Sequence, residues 1–67
     1  MLSGLEIYRA AQATITRNGD DAGLHAAERA GELMASGDME GRAVWHRIAS
    51  VIDVLQRTAP SHGEWVH

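Results

Sequence analysis

No proline interrupts the chain before Pro60, and over that length the apolar residues recur at intervals of three and four. That spacing is the signature of amphipathic helices and not of strands, whose side chains alternate at two. It predicts an all-α chain: a small three-helix bundle of antiparallel helical hairpins over about 3–18, 20–36 and 38–58. Residues 1–58 form the domain, and 59–67 form an irregular C-terminal tail. Ser3 with Glu6 three residues on is a capping box that would open the first helix.

The joints between helices carry a repeated string, GDxxG, as Gly19-Asp20-Asp21-Ala22-Gly23 and Gly37-Asp38-Met39-Glu40-Gly41. Glycines beside carboxylates can hold calcium or phosphate. A calcium loop needs alternating oxygen ligands and a terminal bidentate Glu, which neither copy supplies. A phosphate loop needs a Lys after its glycines, and the chain has no Lys. Structural caps account for the same letters: Gly19 and Gly37 end a helix in a left-handed conformation, and Asp20 and Asp38 accept from the free N–H groups that start the next.

At 100° per residue each expected helix separates into two faces. The first gathers Leu2, Leu5, Ile7, Tyr8, Ala11 and Ile15. The second gathers Leu24, Ala26, Ala30, Leu33 and Met34, with Gly23, Ala27 and Gly31 in a line four apart. That line, with Gly41 in the third helix, is expected to let a neighbouring backbone approach closely. The third helix carries Val44, Trp45, Ile48, Val51, Ile52 and Leu55 on one stripe. Arg42, His46, Ser50, Asp53 and Arg57 lie opposite.

The run GDMEGRAVWHRIASVIDVLQ, with NGDDAGLHAAERAGELMASGD before it, resembles a family of short bacterial helical proteins, a domain of unknown function. Its pattern is GDxxGxxxWxRIxxxI, with GD at both helix junctions and an AxxRAxxL second helix. The likeness spans about residues 15–57 and implies no activity. The segment also resembles a single tetratricopeptide-like hairpin turning at Gly37-Asp38, with Ala43 displaced by one; this serves as an analogy for helix-pair packing.

Several function classes are disfavoured by composition. The chain has 67 residues, no Cys and a net charge of −3. Its basic residues are six scattered Arg, without the basic stripe that nucleic-acid binding needs. The start MLSGLEIYRA lacks the basic and apolar segments of a signal peptide, and no stretch is apolar enough for a membrane span. A cytoplasmic protein is the expectation. No nucleophile, base and orienting acid can be assembled, so no catalytic residue and no cofactor is expected.

What remains is binding. A chain this short builds a thin core, and without disulfides association is one of few available supports. The expected function is a non-enzymatic protein–protein interaction module, working as a homo-oligomer or as an accessory subunit. The partner-binding residues would be Arg42, Trp45, His46 and Ile52 on the third helix, with Trp65 and Val66 in the tail. Trp and Arg are enriched where partners bind. Two alternatives are a helix-turn-helix-like regulator that associates with nucleic acid and a metal binder in the tail. The second would use His62, Glu64 and His67, whose spacing is seen in some zinc sites.

Overall fold

A computed structural model describes residues 2–58. These are helical throughout except at the chain start and the turn around Gly37. Helix α1 spans Gly4–Asn18, a 3₁₀ turn covers Gly19–Asp21, α2 spans Ala22–Ala35 and α3 spans Met39–Thr58. The all-helical class is met. The finer expectation of three separate helices is not, because the 3₁₀ turn joins α1 to α2 without a non-helical residue. What results is two uninterrupted helical stretches, 4–35 and 39–58.

The ends of these stretches follow from local hydrogen bonding. At the start of α1, Glu6 N donates to Ser3 Oγ (3.2 Å) and Ser3 N donates to Glu6 Oε1 (3.1 Å). Each bond satisfies a donor that helix geometry leaves without a partner. At the end of α2, Asp38 N donates to Leu33 O (2.8 Å) and Gly37 N to Met34 O (3.0 Å). This is a Schellman closure, and it requires the positive φ of Gly37, 86°. Asp38 then opens α3, its Oδ1 accepting from Gly41 N at 2.8 Å.

The first joint departs from the sequence expectation. Gly19 has φ 57° and ψ −129°, a backbone reserved for glycine. Asp20, however, lies inside the 3₁₀ turn and does not cap α2. The residue preceding α2 is Asp21, whose side chain makes no cap bond. The reason is backbone geometry. Residues Asn18 and Ala22 keep right-handed helical angles, and Ala22 N donates to Gly19 O. An N-cap needs an extended backbone to swing its carboxylate over the free N–H groups.

The core is built from small residues. Ile7 and Ala11 of α1, Ala22 and Ala26 of α2, and Ile48 and Ile52 of α3 form one buried cluster. Ala30 is buried as well, and among the described residues Ile52 is the only large side chain that is fully enclosed. The packing of α2 against α3 is the most extensive, and α1 lies against both. Arg29 and Trp45 are equally far from Gly37 along the chain, as are Ala26 and Ile48, and Ala22 and Ile52. The contact of Arg29 with Trp45 fits a hairpin that reverses at Gly37. Thr14, unforeseen as a core residue, is buried with its hydroxyl donating to Ala10 O at 2.8 Å.

The orientation of α2 corrects the expectation for its glycines. The inward line is Ala22, Ala26 and Ala30, one position round from Gly23, Ala27 and Gly31. Ala27 and Gly31 are exposed. A Cβ added at Gly23 or Gly31 would meet no atom within 4 Å, so neither serves close backbone approach. Leu24 and Met34, expected inside, are 62% and 50% exposed. Gly41 is needed for a different reason from the expected one. A Cβ there would stand 2.6 Å from Asp38 Oδ2. It makes room for the carboxylate that caps its own helix.

Candidate interaction face and polar pocket

The reversal at Gly37 brings Trp45 against α2. His25 and Arg29 are one helical turn apart and therefore share a face. The His25 ring meets Trp45 edge-on, with centroids 6.1 Å apart and planes at 81°. The Arg29 guanidinium carbon sits 5.8 Å from the Trp45 ring centroid, within cation–π range. Arg29 Nη1 also donates to Glu32 Oε1 at 3.0 Å. Trp45 is half-buried, so one part of its ring closes the core and the rest faces outward.

The other residues expected to bind a partner divide. Arg42 is half-buried and His46 is exposed, one turn apart on α3. Ile52 is 0% exposed and belongs to the core cluster. No partner can reach it, which corrects its assignment as a contact residue. It was misplaced because a stripe gives the apolar side of a helix without saying which members another helix will cover. Trp65, Val66, His62, Glu64 and His67 lie outside the described residues. Among the described residues, no group of three His, Asp or Glu could hold a metal.

Two concavities flank α1. The first is an apolar groove of about 340 Å³ between Gln12, Ile15 and Thr16 of α1 and Leu55 and Gln56 of α3. At 100° per residue, Leu5, Tyr8, Gln12 and Ile15 share that side of α1. Leu5 is 58% exposed and Tyr8 is exposed too, with Gln12 Nε2 donating to its Oη at 3.2 Å. On α3, Val54 stands beside Leu55 and is also exposed. Sequence periodicity placed Leu5 and Tyr8 on the apolar arc of α1, but their neighbours Ile7 and Ala11 take the core positions.

The second concavity, about 230 Å³, opens on the other side of α1. Ala10, Thr14, Arg17 and Asn18 line it from α1, His25 from α2 and Trp45 from α3. His25 reads from the sequence as a plain surface residue, because it lies on the polar side of its helix. Only the seating of α1 beside α2 turns it into a pocket wall.

Compared with known proteins, the chain matches no family model, no curated protein and no solved structure. No helix among the described residues is long and apolar enough to cross a membrane.

Proposed function

We propose that the chain is a small, non-enzymatic helical module that works by protein–protein contact, with α1, α2 and α3 packed as a three-helix bundle. Its partner is a second copy of itself or a larger protein to which it is an accessory. One observation carries the reading: the apolar side chains outside are larger than those inside. Among the described residues, four of the seven buried hydrophobics are Ala, while Leu5, Tyr8, Leu24, Met34, Met39 and Val54 are exposed. Single exposed apolar residues are ordinary, but a contiguous patch marks a contact surface. Ile15 and Leu55 line the α1–α3 groove, and the exposed Leu5 and Tyr8 lie on the same side of α1. Covering it would add the apolar burial that a chain of this size has difficulty supplying alone.

Sedimentation over a wide concentration range, together with crosslinked capture from the source cell, tests the proposal. The expected result is a mass that rises with concentration or a defined captured partner. Leu5→Glu should weaken either association by about tenfold or more while leaving helix content unchanged, since burying one unpaired charge outweighs one lost apolar contact. A concentration-independent monomer with no captured partner would overturn the reading.

A further inference from the structure

The geometry points to a second binding function, on the opposite side of α1 from the groove: the pocket walled by Arg17, His25 and Trp45 takes a small aromatic monocarboxylate. Its parts fit that chemistry one by one. Arg17 forms neither of the ion pairs among the described residues, which join Arg29 to Glu32 and Arg57 to Asp53. Its planar fork of donors matches the two oxygens of a carboxylate. The His25 ring supplies a further N–H donor from the facing helix. Trp45 contributes an aromatic wall and Ala10 an apolar one, against which a flat ring can lie.

The polar groups beside the pocket do not compete for the anion. Thr14 donates its hydroxyl to Ala10 O at 2.8 Å, and Asn18 Nδ2 donates to Thr14 O at 2.9 Å. Among the described residues no Asp or Glu lines the pocket, so none of their carboxylates occupies the place of the ligand's. Size sets the ligand class. A volume of about 230 Å³ is the share of about eight liquid waters, enough for one substituted ring and too little for a nucleotide. A single unpaired guanidinium likewise suits one carboxylate better than a polyphosphate.

The pocket reports on itself, because Trp45 is part of it. The full chain carrying Trp65→Phe has Trp45 as its only indole. Benzoate titrated into this protein at constant ionic strength should change Trp45 emission saturably, with half-saturation on the order of 1 mM, as expected for so small a ligand. Arg17→Gln, an exposed position whose change should leave the circular dichroism intact, should weaken binding about tenfold or more. Benzamide, of the same shape without the charge, should fail to compete. Three results would each overturn the proposal: no saturable change with benzoate, equal binding of benzamide, or unaltered affinity in folded Arg17→Gln. The same emission change with sodium chloride alone would also sink it, since that would reduce the effect to general anion screening. None of these results bears on self-association through the groove.

Discussion

The two GDxxG segments share their letters and a first glycine at positive φ, and differ in what the backbone does after it. At 37–41 the chain reverses: Gly37 closes α2, Asp38 caps α3 and Gly41 clears space for the cap. At 19–23 the chain stays helical through Asp20 and Asp21, and no carboxylate caps α2. The difference lies in who satisfies the free N–H groups. In the second copy Asp38 accepts one of them, from Gly41. In the first copy a 3₁₀ bond to Gly19 O already takes the N–H of Ala22. A motif read from sequence thus fixes where a helix is interrupted, while the backbone angles beside it decide whether its acid has a role.

Substitutions can break this comparison at graded strength. The largest effect should come from Gly19→Ala, because φ 57° with ψ −129° is closed to a side chain; about 2–3 kcal/mol should be lost in urea unfolding. Gly37→Ala should lose less, about 1–2 kcal/mol, since a left-handed turn is strained but attainable. Equal losses would mean that both joints make the same demand on their glycine. Next comes the contrast between the acids. Asp38→Ala should cost about 1 kcal/mol, whereas Asp20→Ala should stay within about 0.5 kcal/mol of the parent.

Glycine substitutions within the helices sharpen the comparison further. Gly23→Ala should stabilise by up to about 1 kcal/mol, because the added methyl meets nothing and the helix gains propensity. Gly41→Ala gains the same propensity but displaces the capping carboxylate, so the two terms should nearly cancel. Made together with Asp38→Ala, it should stabilise relative to Asp38→Ala alone. A double-mutant cycle by thermal unfolding reads that coupling, and strict additivity would show that Gly41 does not serve the cap.

Much of the fold was legible because local chemistry controls it. The Ser3–Glu6 box and the end of α2 at Gly37 depend on neighbours three to five residues away. The rotation of α2 was not legible. Its two small-residue lines, Gly23-Ala27-Gly31 and Ala22-Ala26-Ala30, lie side by side, and Leu24 and Met34 argue for the wrong one. The packing sets Ala22 and Ala26 against the Ile side chains of α1 and α3. The candidate site divides in the same way. Trp45 stood out from its residue type and place on the stripe. Arg17 and His25 did not, because they lie on polar surfaces and only tertiary packing brings them together.

One contact carries a consequence for the order in which the molecule assembles. Gln56 Nε2 donates to Gly19 O at 2.9 Å, tying the last turn of α3 to the first joint. The hairpin about Gly37 joins near neighbours in sequence and so loses little chain entropy on closing. The Gln56 bond spans that whole hairpin, so it is expected to form after α2 and α3 have docked. It then ties the end of α3 to the first joint from the outside, beside the buried packing of Ile7 and Ala11 on Ile48 and Ile52 that holds α1 in place.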